Sequence, residues 1–261
     1  MKKMITFIIS NFIILNAFSM TGDEVADKIY QSNRDQTSIT KTKMVLIDKM
    51  NNKKERVFYT FSIDNNKYDS QTITYFETPK KIKDTSLYIQ NSNDSDTNQW
   101  LFLPALKKTR RISSAKKSGR FVNSDLSYED LEDRETTLDN HKIIKKDKIG
   151  NKEYIILETV PKVASTSIYT KVISWVDTTN WTIVKADFYK QHKTPYKSIK
   201  SRNFKKFGNS WRAQSTEIIN YDIKTKTQLT LLSVDLKTKL ENSFFNKSTL
   251  ENPNKLTRYL K

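Results

Sequence analysis

The chain has 261 residues, 36% of them hydrophobic and 11% aromatic, and a formal net charge of +17. That length can bury a full core in one domain, and four glycines and five prolines exclude a collagen-like or low-complexity chain. Cysteine is absent, which removes disulfides, thiol chemistry and the acylated cysteine of a lipoprotein anchor, and two widely spaced histidines, His141 and His192, do not make a zinc site.

Lys2 and Lys3 precede an apolar run from Met4 to Leu15, and Ala17-Phe18-Ser19 places small residues where a signal peptidase needs them. The run is too short for a comfortable membrane span. The expectation is a cleaved secretory signal over residues 1–19 and one mature domain over residues 20–261, soluble in the periplasm of a diderm host and not lipidated. In an exported protein a strongly basic balance points away from nucleic acid. It points toward anionic headgroups, polysaccharide or an acidic partner.

Thr21-Gly22-Asp23-Glu24 is a capping box, and Val25, Ala26, Ile29 and Tyr30 follow at helical spacing, so a short amphipathic helix is predicted over residues 23–32. The period then changes to two. Residues 37–49 read as a long strand. Val57, Tyr59, Phe61 and Ile63 alternate with Phe58, Thr60 and Ser62 in a second. Residues 68–77, closed by Pro79, and residues 87–90 and 99–103 complete an antiparallel meander. Beyond residue 136, strands are predicted over 143–148, 154–160, 167–177, 181–189, 196–207, 211–221 and 228–236, with turns at Gly150-Asn151 and Gly208-Asn209. Residues 239–250 read as a short closing helix or turn anchored by Phe244, Phe245 and Leu250. The count is ten to twelve strands with few helices and no βαβ alternation, and two sheet edges need covers.

The unusual stretch is residues 100–131, WLFLPALKKTRRISSAKKSGRFVNSDLSYEDL. An apolar strand (Trp100, Leu101, Phe102, Leu103) breaks at Pro104. Seven basic residues follow with no acid among them, then Phe121, then an acidic and aromatic segment holding Asp125, Tyr128, Glu129 and Asp130. A connection of this length inside a compact domain is usually functional. It can also be structural, with the bases and acids of the loop pairing to pin it shut.

No nucleophile elbow, phosphate loop or dinucleotide fingerprint is present. A hydrolase triad drawn from Ser113, Ser114, Ser124 or Ser127 with Asp125 and a histidine remains open on composition alone. The acids of the loop could form a divalent-ion site, and read more simply as salt-bridge partners. Curved antiparallel sheets enclose apolar cavities, where each buried methylene of a ligand contributes about 0.8 kcal/mol. Arginines at the rim of such a cavity suit a phosphate or carboxylate headgroup.

The ordered string from Leu87-Tyr88-Ile89 through Gln99-Trp100-Leu101-Phe102-Leu103-Pro104, Arg110-Arg111-Ile112-Ser113-Ser114 and Lys117-Ser118-Gly119 to Ser124-Asp125-Leu126-Ser127-Tyr128-Glu129-Asp130-Leu131 resembles the LolA-like outer-membrane lipoprotein-sorting family. Asp84-Thr85 stands where a Gly-Thr is usual, and Arg120 where a small residue is common. The resemblance implies a mainly β fold, a bent antiparallel half-open barrel with short helices over its concave face. It implies a periplasmic carrier of lipid or lipoprotein acyl chains, working beside an inner-membrane exporter of the resistance-nodulation-division type, with no cofactor and no catalytic residue. On this reading Trp100, Phe102, Leu103, Phe121 and Tyr128 form or close the cavity, and Arg110, Arg111, Asp125, Glu129 and Asp130 meet a headgroup or pin the loop. The chain is expected to act as a monomer. The alternatives are a phospholipid hydrolase on the same fold and a non-enzymatic envelope scaffold.

Overall fold

The computed structural model describes residues 20–92 and 95–260. The expected signal peptide, residues 1–19, lies outside the described residues. Among those described, no helix is long and apolar enough to cross a membrane.

Helix α1 (Gly22–Gln31) begins at the capping box: the Thr21 N–H donates to Glu24 Oε2 at 2.7 Å, and the Glu24 N–H donates to Thr21 Oγ1 at 3.2 Å. Six strands follow: β1 (Thr37–Ile47), β2 (Lys53–Asn66), β3 (Asp69–Thr78), β4 (Ser86–Ser92), β5 (Ser95–Leu103) and β6 (Lys108–Arg111). A long connection, residues 112–138, holds only single 3₁₀ turns. Seven more strands complete the sheet: β7 (Asp139–Ile149), β8 (Lys152–Pro161), β9 (Lys171–Asp177), β10 (Thr182–Tyr189), β11 (Lys197–Phe207), β12 (Ser210–Asn220) and β13 (Thr225–Asp235). The C-terminal segment forms α2 (Lys247–Glu251) and α3 (Pro253–Thr257).

Among the described residues all thirteen strands lie in one antiparallel sheet, ordered β6-β5-β4-β3-β2-β1-β13-β12-β11-β10-β9-β8-β7. Two sequential meanders are thus joined at a central seam where the first strand pairs with the last, Met44 opposite Leu229 and Leu46 opposite Thr227. The sheet does not close, and the mainly β, half-open architecture expected from the sequence is present. The strand missing from the sequence reading is β6. Its residues, Lys-Thr-Arg-Arg, lack apolar alternation, and it pairs with β5 after Lys107 takes a left-handed turn at φ 47°. Three cations on a four-residue edge strand also discourage pairing with another chain.

The bend follows from distances. Strands β5 and β11 are seven positions apart in the sheet, about 34 Å if it were flat. Yet Gln99 on β5 donates to the Tyr128 carbonyl at 3.0 Å, and Lys197 on β11 is ion-paired with Asp130, two residues further on. Residues two apart span about 7 Å at most. The sheet therefore curls around the 112–138 connection, and the face that meets this connection is the concave one.

Directly paired residues share a face, so the register assigns each side chain. Met44, Phe58, Phe76, Leu87, Ile89 and Ile218 point to the concave side and pack with Phe121 and Leu126 of the connection. On the same side α1 sets Val25 and Ala26 on Ile155, Leu157 and Val176 of β8 and β9. Gly22 makes this docking close: a Cβ there would stand 2.2 Å from the His141 carbonyl oxygen of the edge strand β7. The opposite face of β1–β5 carries Ile39, Tyr59, Phe61, Ile73, Tyr75 and Tyr88. It is covered by Leu240, Phe244, Phe245, Leu250 and Leu256 of the C-terminal segment.

Candidate functional site

The concave face and the 112–138 connection form the candidate site. The connection leaves β6 and turns through Gly119. There Arg120 bridges to Ser127, and the Phe121 N–H donates to the Leu126 carbonyl at 2.7 Å, closing a tight loop. Phe121 is driven into the sheet, its ring centroid 5.7 Å from that of Phe76 and 5.9 Å from that of Tyr128. Val122, Tyr128 and Leu131 pack around it. The apolar hollow expected on the concave side is consequently occupied by the chain's own side chains, because this connection folds inward rather than lying across the opening.

Three polar anchors hold it there. Asp125, almost fully buried, accepts from Thr227 Oγ1 at 2.8 Å and from the Thr225 hydroxyl on β13, while its own N–H donates to Thr227 Oγ1 at 2.9 Å. Arg120 adds an ion pair at 3.1 Å and donates to the Asn123 and Ser124 carbonyls. Asp130 forms the second anchor. It accepts from the Ser127 N–H at 2.6 Å and from the Tyr169 hydroxyl at 2.8 Å, and it pairs with Lys197, whose side chain is 1% exposed. Lys197 also donates to the Tyr169 oxygen at 2.6 Å, and its ammonium lies 4.9 Å from the Phe188 ring centre. Burial lowers the Lys197 pKa, opposed by the Asp130 charge, and burial raises that of Tyr169. In the third anchor Glu129 accepts from the Ile168 N–H at 2.8 Å and from the Ser167 hydroxyl.

Past these anchors the connection borders a polar cleft of about 640 Å³, lined by Lys117, Glu129, Glu132, Asp133, Arg134 and Ser167 among others. Glu132 is ion-paired with Lys117 at 2.9 Å and accepts from Gln99 at 2.7 Å; burial raises its pKa against both partners. Asp133 joins the cleft to α1, accepting from Tyr30 at 2.8 Å and Arg34 at 2.7 Å.

Among the residues singled out in the sequence, Phe121, Tyr128, Asp125, Glu129 and Asp130 converge on the concave side. Trp100 and Phe102 point to the opposite face, where Trp100 stacks on Tyr88 at 5.2 Å and lies beneath the Lys247 ammonium. Leu103 is half-buried where β5 ends. Arg110 and Arg111 are exposed on β6, Arg111 donating to Asn98 at 2.6 Å. The bases that meet the acids are instead Lys117, Arg120 and Lys197. No local pattern marks Lys197 among 46 basic residues, and Thr225 and Thr227 lie before the strand predicted over residues 228–236; only the earlier start of β13, at Thr225, puts the two hydroxyls on one strand face. Ser124 donates to the Phe121 carbonyl at 2.7 Å, Ser127 lies 3.2 Å from the Tyr169 hydroxyl, and both ring nitrogens of His141 are bonded, to Thr159 and to the Thr136 carbonyl. Among the described residues no cluster of metal-ligating side chains is present.

Solved structures share this architecture. An outer membrane lipoprotein-sorting protein domain from Vibrio parahaemolyticus is 28% identical, with a TM-score of 0.83 over 88% of this chain and 98% of that one. A DUF1329 family protein from Desulfovibrio piger is 22% identical, with a TM-score of 0.82 over 88% and 97%. A LolA superfamily protein from Nitrosomonas europaea is 17% identical, with a TM-score of 0.70 over 88% and 100%. A family described as "Uncharacterized protein" matches residues 68–252, well over half of the chain. The chain belongs to this family, and its fold is LolA-like. The comparison with curated proteins finds no match. The LolA-like resemblance read from residues 87–131 is borne out, and the matched region contains the whole connection, though not β1 and β2, whose Met44 and Phe58 pack with it.

Proposed function

We propose that this LolA-like protein is a periplasmic carrier that shields the acyl chains of a lipid or lipoprotein between an inner-membrane transporter and the outer membrane. The observation that carries the reading is Phe121: an aromatic plug from a long connection, held by polar anchors, seated on the apolar concave face of a bent open sheet. In the proposed cycle acyl chains compete with Phe121, Leu126 and Tyr128 for Phe58, Phe76 and Leu87, and no bond is made or broken. Asp125, Glu129 and Asp130 hold the plug in place and guide its return. Trp100 and Phe102 keep β5 fixed against the C-terminal segment, so the strand beside the plug does not move with it. The polar cleft accommodates the hydrophilic part of the cargo. Arg110 and Arg111, exposed on the edge strand, are the contacts for an anionic headgroup or an acidic exporter subunit.

The test is titration of the purified protein with a fluorescent fatty acid, beside mass spectrometry of co-purified lipid. The wild type is expected to bind the probe, and Phe121→Ala to bind it several-fold more tightly, because the competing ring is gone while circular dichroism shows the sheet intact. A folded protein that takes up neither probe nor lipid, with or without Phe121, would leave the scaffold alternative standing.

A further inference from the structure

In the part of the sheet running from β12 to β6, the connections alternate between two ends. Four lie at one end: residues 48–52 between β1 and β2, 79–85 between β3 and β4, 104–107 between β5 and β6, and 221–224 between β12 and β13. Lysine is common to all four, and three of them add an exposed apolar side chain. Met50 is 70% exposed, flanked by the exposed Lys49 and Lys53. Leu106 is 49% exposed and followed by the exposed Lys107 and Lys108. Tyr221 and Ile223 are exposed beside Lys224, and the remaining connection presents Lys80, Lys81 and Lys83.

The acids at this end are mostly engaged. Asp48 accepts from Asn52 at 2.9 Å, and Asp84 accepts from the Tyr75 hydroxyl at 2.7 Å. The described turns at the other end of these strands differ: Tyr68 is buried, Lys67 is paired with Asp27, and the β11–β12 turn is Gly208-Asn209.

We propose that this rim is a docking surface for an anionic lipid bilayer. The apolar tips enter the acyl boundary, and the lysines meet headgroup phosphates. A folded protein partner is a poorer fit, because the apolar side chains sit on separate projecting turns rather than in one contiguous patch, and a bilayer accepts several separate tips at once. A nucleic acid would use the lysines and leave Met50, Leu106 and Ile223 without a role. The rim also borders the plug: Arg56 of β2 donates to the Val122 carbonyl, and Asp125 is held by Thr225 and Thr227 at the start of β13. Docking would therefore set the plug beside the bilayer. The surface needs no cargo, so its test is independent of the carrier reading.

The test is sedimentation of the full chain with phosphatidylcholine vesicles, with and without phosphatidylglycerol. Binding is expected on the anionic vesicles, weak on the neutral ones, and reduced by added salt. Each lysine near such a surface contributes about fivefold to partitioning. The triple variant Lys80→Gln, Lys81→Gln, Lys83→Gln is therefore expected to lose about a hundredfold. The matched variant Arg202→Gln, Lys205→Gln, Lys206→Gln, with the same charge change toward the other end of β11, is expected to keep its binding. Since the chain has no cysteine, Leu106→Cys and Asn209→Cys can each carry one environment-sensitive dye. The dye at 106 is expected to shift to the blue on anionic vesicles, and the dye at 209 to stay unchanged. Equal losses in the two triple variants, equal binding to neutral vesicles, or no shift at 106 would each overturn the proposal.

Discussion

Lys197 and Asp130 form an ion pair on the concave face with 1% and 2% of their side-chain surface exposed. One belongs to β11, the other to the connection between β6 and β7, so the pair fastens the plug to the far half of the sheet. Their hydrogen bonds to Tyr169 and to the Ser127 N–H leave few of their polar positions idle. A buried pair of this kind adds little over a well-packed apolar substitute, but breaking it strands a charge. Lys197→Met is expected to lower the unfolding free energy by about 3–5 kcal/mol, and Lys197→Met with Asp130→Leu to recover part of that loss, measured by urea denaturation. A single-variant loss no larger than that of an exposed pair would mean that the knot is hydrated in solution.

Glu132 gives the protein a slope against pH. Burial raises its folded-state pKa above the ordinary 4.5, so the folded state holds the proton through a range where the unfolded chain has released it. Stability from this group is therefore present below pH 4.5 and is lost as pH rises through the raised value. Glu132→Gln is expected to flatten that part of the profile, read from urea midpoints at a series of mildly acidic pH values. Lys117→Met, which removes the opposing charge, is expected to move the slope to higher pH. An unchanged profile in both variants would show that Glu132 titrates like an exposed carboxylate.

Gly22 offers a test of how α1 is seated. A methyl group at this position would lie 2.2 Å from the His141 carbonyl, a backbone atom that cannot swing aside. Gly22→Ala is expected to cost about 1–3 kcal/mol, in line with overpacking. Faster amide exchange should be confined to α1 and the adjoining part of β7. Global loosening of the sheet would contradict the separate packing of α1 on β8 and β9.

Much of the fold was legible because period-two alternation is a strong signal when one face is buried. The β2 run from Val57 to Ile63 shows it, and the α1 boundaries came from a capping box that forms as written. The site was less legible for a reason visible at residues 100–103. Trp-Leu-Phe-Leu is apolar at every position, so both faces of β5 are covered and alternation cannot tell which one is concave. Only the register does that, placing Trp100 opposite Tyr88 and beneath the C-terminal segment. The bases of the central loop were legible only in part. Lys117 and Arg120 pair with its acids as expected, but β6 carries Arg110 and Arg111 to the outer edge, and Lys197 arrives from 67 residues further along the chain.

The pairing of β1 with β13 decides when the sheet can be finished. Each meander pairs sequence neighbours, but the centre of the assembly awaits residues 225–235, the last strand of the sheet to be synthesised. Until then the growing polypeptide carries an unsatisfied β1 edge and a plug that lacks Thr225 and Thr227, the partners of its Asp125 anchor. Completion is thus a late, long-range closure step of the sort that slows maturation and leaves a nascent chain in need of shelter.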